Sequence, residues 1–274
     1  MNLYIAGNGV TDDKMEEYKK KTYLRKDKLY LLNSYLEIKN KKNLDKRYFN
    51  YRYDKDQFFL DSGAFTAFTQ GKVIHIDDYI DFIKKNENEI TLYASLDVIG
   101  DYEKSRVNQE YMESKGLNPL PTFHAGSPLE ELERMVEKYD YIALGGLVPL
   151  ALDRKRMKAW LDKCWKVIFN NTIKKNKPLT KIHGFGVNAL WAWERYPFYS
   201  VDATSWVTGS KFRRTVRFNN GKMTTSKKDK SRNLDTINLY TKEYYHLNLQ
   251  NIDEYYKSSN YVTNLWKKRG IIWE

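Results

Sequence analysis

Short apolar or aromatic runs recur along the chain, and polar segments with helical spacing separate most of them. The runs span residues 3–7, 29–35, 58–64, 91–98, 121–126, 141–147, 181–187 and 198–204. Runs of this length, bounded by turn-forming and polar residues, are typical of buried strands. The pattern therefore predicts eight β-strands that alternate with helices.

The segments between these runs carry helix signals. Residues 77–83 place apolar side chains at helical spacing behind two aspartates, and residues 102–116 end in glycine, as many helices do. Ser127 and Pro128 are the expected N-cap and first residue of a further amphipathic helix, and residues 157–169 form another helical pattern. Alternation of this kind predicts an α/β fold, either a (β/α)8 TIM-like barrel or a doubly wound sheet.

Polar and glycine residues at the strand ends favour the barrel. They lie late in the apolar runs or directly after them, and they are Asp61, Asp97, His124, Gly145, Gly146, Gly186 and Asp202. In a (β/α)8 barrel the C-terminal ends of all strands meet on one rim, which is where the catalytic residues of such barrels lie. We therefore expect a barrel over residues 1–206, with these side chains on its rim.

Residues 207–274 differ in composition from the preceding part. Residues 208–232 are rich in lysine and arginine, and residues 239–274 are rich in tyrosine and tryptophan. We interpret this segment as a basic, aromatic C-terminal extension packed on the barrel. Its basic run consists of Lys211, Arg213, Arg214 and Arg217. Such a run beside the barrel mouth would bind nucleic-acid phosphates, and a solvated surface is the alternative.

The overall charge points to a polyanionic partner. Lysine and arginine number 47 against 35 acidic residues, which gives a net charge of +12. Nucleic acid is the usual partner of so basic a chain, although an AT-rich genome that uses lysine heavily would also produce this balance. The 22 tyrosines and 7 tryptophans could stack on bases, but most must form the core.

Cys164 is the only cysteine, which excludes a disulfide and a multi-cysteine zinc site within one chain. It lies in a helical pattern, and we expect a buried structural thiol. The chain opens directly into a predicted strand, and none of its apolar runs approaches membrane-spanning length. We expect a soluble cytoplasmic protein with no bound metal.

Five motifs follow one another on successive predicted strands. They are Asp61-Ser62-Gly63-Ala64-Phe65, Ser95-Leu96-Asp97-Val98, Ala143-Leu144-Gly145-Gly146-Leu147, His183-Gly184-Phe185-Gly186 and Ser200-Val201-Asp202. In order and placement they resemble the Asp-Ser-Gly-Gly, Phe-Asp-Glu, Gly-Gly-Leu, Gly-Val-Gly and nucleophile-strand motifs of the tRNA-guanine transglycosylase superfamily. The resemblance covers about residues 58–206. It is closest to the small phage and bacterial members that put 7-deazaguanines into DNA.

The resemblance implies an enzyme that exchanges guanine in a nucleic acid for a free 7-deazaguanine base by double displacement, without a cofactor. Asp202 would attack C1′ of the guanine nucleotide, and Asp61 would carry the proton of the leaving and entering bases. A structural role remains open for each. Asp202 would then cap or turn the backbone, and Asp61 would form an Asx-turn with Ser62 and Gly63.

The resemblance also implies a base-binding set. Its members are Ser62, Phe65, Asp97, His124, Gly145 and Gly146. Asp97 would accept hydrogen bonds from guanine N1–H and the 2-amino group, the glycines would admit the base close to the backbone, His124 would contact the base, and Phe65 would stack on it. The alternatives are an N-cap or salt bridge for Asp97, a βα turn for the glycines, a satisfied strand-end histidine, and core packing for Phe65.

The chain departs from the family pattern at three points. One cysteine cannot build the zinc subdomain of the tRNA enzymes, and Val98 replaces the glutamate of Phe-Asp-Glu. Ser205 stands where many members carry a second aspartate. Either Asp202 attacks in a shifted register, or attack is lost, and we favour Asp202 because serine is a poor nucleophile at an anomeric carbon.

The missing zinc subdomain and the small size favour DNA as the substrate. A tRNA enzyme remains an alternative, as does a catalytically inactive barrel that binds nucleic acid or a purine. If the gene belongs to a phage, the cytoplasm in question is that of the host.

Overall fold

The computed structural model of the protein describes residues 1–7, 30–40, 57–150, 153–176, 178–207, 214–226 and 242–273. Eight parallel strands form the main sheet. They are β1 (Asn2–Ala6), β2 (Tyr30–Ser34), β3 (Gln57–Asp61), β4 (Leu92–Tyr93), β5 (Thr122–His124), β6 (Tyr141–Gly145), β7 (Lys181–Gly184) and β8 (Ser200–Ala203). Each overlaps one of the eight predicted runs.

The sheet curls until its two edges meet. Its strand order is β4-β3-β2-β1-β8-β7-β6-β5, and an isolated parallel bridge between Ala94 and Leu120 joins the two outer strands. At this seam Ser95 N donates to Leu120 O at 3.0 Å, and Leu120 N donates to Tyr93 O at 2.8 Å. The α/β TIM-like barrel is confirmed, and the doubly wound sheet is excluded.

Helices alternate with the strands. They are α1 (Tyr35–Ile38), α2 (Ala64–Thr69), α3 (Ile76–Lys85), α4 (Tyr102–Ser114), α5 (Leu129–Lys138), α6 (Arg154–Lys175), α7 (Leu190–Arg195) and α8 (Lys242–Lys268). The expected start of α5 is wrong by one residue. Pro128 is the N-cap rather than the first helical residue, because its ψ of 144° is extended.

Side chains of the strands alternate between two cores. Leu3 and Ile5 belong to the large cluster between the barrel and its helices, whereas Tyr4 belongs to a smaller cluster with Phe59 and Ala143 inside the barrel. This alternation follows from the period of two in a strand. Cys164 on α6 is buried as expected, and burial raises the pKa of its thiol.

The C-terminal part contacts the barrel through a hairpin and a long helix. Strands β9 (Val216–Asn219) and β10 (Lys222–Thr225) pair antiparallel, and helix α8 packs on the hairpin, on α7 and on β1. Asn251 of α8 accepts a hydrogen bond from Val216 N at 2.8 Å and donates one to Trp206 O at 2.9 Å. A domain boundary at residue 206 stays a prediction. In the part of the chain that the structure describes, no helix is long and apolar enough to cross a membrane.

Candidate active site

A cavity of about 550 Å³ opens at the C-terminal ends of the strands. All of the predicted catalytic and base-binding residues line it, namely Asp61, Ser62, Phe65, Asp97, His124, Gly145, Gly146 and Asp202. The ends of five strands therefore bring side chains that are distant in sequence together around one cavity.

Asp61 ends β3 and is held by the turn that follows it. Gly63 N donates to Asp61 Oδ2 at 3.1 Å, so the Asx-turn that was the structural alternative is present. Gly63 has a positive φ of 80°, and a Cβ there would collide with the side chains of Ser34 and Leu36. The turn thus fixes the carboxylate while leaving it on the cavity wall, and the two roles are compatible.

The environment of Asp61 makes its proton labile near neutral pH. Burial raises the pKa of this carboxyl most, and repulsion from the Asp97 carboxylate raises it further, to about 7. The hydrogen bond from Gly63 N opposes the shift, whereas the Asp202 and Glu37 carboxylates add smaller contributions to it. A carboxyl with a pKa near the working pH is suited to both giving and taking a proton.

Asp97 forms a pair with His124 in the cavity. His124 Nε2 lies 3.4 Å from Asp97 Oδ2, and Ser95 Oγ donates to Asp97 Oδ1 at 2.9 Å. Burial acts to lower the pKa of His124, but the Asp97 carboxylate outweighs it, so that the pKa is raised. The salt-bridge alternative for Asp97 is therefore present. The N-cap alternative is wrong, because Asp101 caps α4.

Asp202 lies on β8 above a buried polar chain. Gly186 N donates to its Oδ1 at 2.7 Å, and His183 Nε2 is 3.5 Å from the same oxygen. His183 Nδ1 and Tyr141 Oη each lie 2.6 Å from Ser200 Oγ. Burial lowers the pKa of His183 in spite of Asp202, which favours a neutral ring. This chain from Tyr141 to Asp202 was not found from the sequence.

Ser205 does not share the cavity. Its Oγ lies 2.5 Å from Tyr255 Oη on α8. Val201 and Ala203 of β8 face the outer core, so Ser200 and Asp202 face the interior. Of the two registers left open by the sequence, the cavity contains the carboxylate of Asp202.

Gly145 and Gly146 line the cavity, and neighbouring atoms leave no room for a side chain at either position. A Cβ on Gly145 would lie 2.8 Å from Thr122 Cγ2, and one on Gly146 would lie 3.0 Å from Ala125 N. Gly146 also has a positive φ of 71°, which fits the βα turn that was the alternative. Phe65 is 43% exposed, so core packing is wrong for this residue.

The cavity is also lined by residues that the sequence did not single out, among them Asn33, Arg154 and Trp191. Asn33 near the end of β2 is 2% exposed, and its Oδ1 has no hydrogen-bond partner among the residues that the structure describes. It satisfies the same strand-end criterion as the others and could have been found. Arg154 and Trp191 lie at the starts of α6 and α7, where the sequence gives no comparable signal.

The basic run is only partly described. Lys211 and Arg213 lie outside the described residues, whereas Arg214 is half-buried before β9 and Arg217 is exposed on it. Neither of these two arginines lines the cavity. Among the residues that the structure covers, no three His, Cys, Asp or Glu side chains are grouped to hold a metal ion.

The chain is therefore an α/β TIM-like barrel with a carboxylate-lined cavity at the strand ends. No protein-family model matches its sequence, and no curated protein matches it.

Proposed function

We propose that the protein is a nucleic-acid guanine transglycosylase that exchanges guanine for a 7-deazaguanine base, with DNA as the favoured substrate. The observation that carries the proposal is the meeting of Asp61, Asp97 and Asp202 in one cavity. The pKa of Asp61, about 7, supports the division of labour that a double displacement requires. The basic balance of the chain supports a nucleic-acid substrate.

In the first step Asp202 attacks C1′ of the target nucleotide, and the bond from C1′ to N9 of guanine breaks. Gly186 N holds Oδ1, so we assign the attack to Oδ2. The protonated form of Asp61 gives its proton to the departing base. The adjacent carboxylate of Asp202 stabilises the positive charge that develops on the sugar before it forms the ester.

In the second step the entering 7-deazaguanine loses its N9 proton to the Asp61 carboxylate. Its N9 then attacks C1′ and releases Asp202. Two inversions restore the original configuration at C1′, by the logic of retaining glycosidases. No redox partner, metal or external acid is needed to balance either step.

Asp97 supplies base selection in this scheme. Its carboxylate accepts hydrogen bonds from N1–H and the 2-amino group of guanine, and His124 holds it from the side at 3.4 Å. Ser95 and His124 already contact this carboxylate, and a purine without these donors would leave its remaining acceptor sites unsatisfied, which costs about 1–3 kcal/mol. Adenine is therefore disfavoured.

The test is exchange of radiolabelled guanine into duplex DNA, single-stranded DNA and tRNA in parallel, together with mass spectrometry for a nucleotide bound to the protein. Labelling of DNA with a covalent adduct at Asp202 supports the proposal. Labelling of tRNA alone transfers it to the RNA alternative. Guanine binding without exchange on any substrate supports the inactive purine-binding barrel, which the serine at position 205 favours.

A further inference from the structure

One wall of the cavity carries an arginine stacked on a tryptophan. The guanidinium carbon of Arg154 lies 4.9 Å from the ring centroid of Trp191, and both residues line the cavity. They belong to the starts of α6 and α7 and therefore follow β6 and β7. Neither residue is part of the motifs that carry the proposed chemistry.

The position of this pair is complementary to that of the predicted base-binding residues. Asp61 and His124 end β3 and β5 and Asp97 follows β4, whereas the proposed nucleophile Asp202 is on β8. If the target base lies over Asp97 with its sugar towards Asp202, the β6–β7 side of the cavity remains open to the neighbouring nucleotides of the nucleic acid. The cavity of about 550 Å³ is larger than one base requires.

The chemistry of the pair fits a nucleotide. Arg154 is exposed, and among the residues that the structure describes its guanidinium contacts the Trp191 ring and no carboxylate. A guanidinium that lies on an indole keeps its N–H edge available for a phosphate, and its outer face can stack on a base. The next two residues, Lys155 and Arg156, are exposed cations that extend the positive surface.

We infer that Arg154 and Trp191 form a platform for the nucleotide next to the target guanine in single-stranded DNA. The flanking base stacks on the Arg154–Trp191 layer, and the Arg154 guanidinium donates to the phosphate between the two nucleotides. The inference rests on the proposed function in one respect, which is that the target guanine occupies the cavity.

Binding measurements test the platform without requiring turnover. Fluorescence anisotropy would give the Kd of a labelled single-stranded DNA nonamer with one central guanine, and calorimetry would give the Kd of free guanine. Arg154→Gln and Trp191→Ala should each raise the Kd of the nonamer about fivefold or more, which is the scale of one lost base stack. The Kd of free guanine should stay within about twofold of the wild-type value.

The chain offers a matched control. Arg269 lies over Trp266 at 4.7 Å, away from the cavity, so Arg269→Gln removes the same charge from the same kind of pair. The Kd of the DNA nonamer for Arg269→Gln should equal that for the wild type. Trp191→Phe keeps an aromatic surface and should bind almost normally, which separates lost stacking from lost folding. Thermal unfolding of each variant checks this separation.

Three results would overturn the inference. They are an unchanged nonamer Kd in Arg154→Gln and Trp191→Ala, an equal loss of affinity for free guanine in these variants, and tighter binding by the wild type of an RNA nonamer of the same sequence than of the DNA nonamer. The proposed function fails separately. If the variants lose nonamer affinity but the wild type exchanges no base, the platform stands and the transglycosylase does not. If exchange occurs and the variants bind normally, the reverse holds.

Discussion

Asp61 offers a test of the site that needs no substrate. A carboxyl whose pKa is raised in the folded protein holds its proton more tightly when folded than when unfolded, so that its ionisation destabilises the fold. For Asp61 the pKa rises from 3.8 to about 7, first through burial and then through Asp97. The penalty is small below pH 4, grows as the pH rises, and is complete above pH 7.

The magnitude follows from linkage. With these two pKa values the ionisation of Asp61 costs about 1.5 kcal/mol at pH 5 and about 4 kcal/mol at pH 8. Asp61→Asn removes the charge but keeps an oxygen for Gly63 N. The stability of the variant relative to the wild type should therefore increase by up to about 2.5 kcal/mol between pH 5 and pH 8. Solvent in the open cavity screens part of this, and we expect at least about 1 kcal/mol.

Urea unfolding of both proteins at pH 5 and pH 8 measures this difference. Asp81→Asn is the control, because it removes one carboxylate from an exposed position on α3 outside the cavity. Asp97→Asn should reduce the effect by removing the second cause of the raised pKa. A stability difference between Asp61→Asn and the wild type that stays constant with pH, or that falls, would refute the account of the site.

The remaining predictions concern chemistry and binding. Asp202→Asn should lower exchange by more than about 10²-fold and abolish the covalent adduct, whereas Ser205→Ala should retain both; the opposite result moves the nucleophile to position 205. Tyr141→Phe should lower kcat while leaving KM and the melting temperature nearly unchanged, because it disturbs the chain that ends at Asp202; a loss of folding alone would make that chain structural. Affinity for DNA should fall steeply with salt, and neutralising the basic run should flatten the salt dependence; an unchanged slope contradicts a phosphate-binding role. Elemental analysis of the purified protein should give no stoichiometric zinc, and a one-to-one content would reject that expectation.

Much of the fold could be predicted because its signal is local. Each strand is a short apolar run, and the polar residue that ends it is easily recognised, as at Asp61 and Asp202. Barrel closure is harder to predict, because β4 pairs through only two residues and the seam depends on a single bridge. The sequence could not choose between Asp202 and Ser205. The pleat of β8 makes that choice by turning Val201 outwards.

The missed parts of the site depend on contacts between distant segments. Arg154 begins a helix that looks like an ordinary solvated surface in the sequence, and only the adjacency of β6 and β7 brings it onto Trp191. The same reason explains why the sequence did not predict the hydrogen-bonded chain of Tyr141, Ser200 and His183. A polar side chain inside a barrel can be assigned a role only when its partners are known.

The seam between β4 and β5 is the least stable pairing in the barrel wall, and it lies beside the cavity. Few backbone hydrogen bonds hold it, and regions of this kind open first in the folded state. The amide protons of Ser95 and Leu120 should therefore exchange with deuterium ahead of those in the other strand pairs. The contact between Asp97 and His124 joins the two sides of this seam at the cavity. A base that binds Asp97 would slow deuterium uptake at the amides of Ser95 and Leu120. Hydrogen exchange at this seam would therefore measure whether the cavity is occupied.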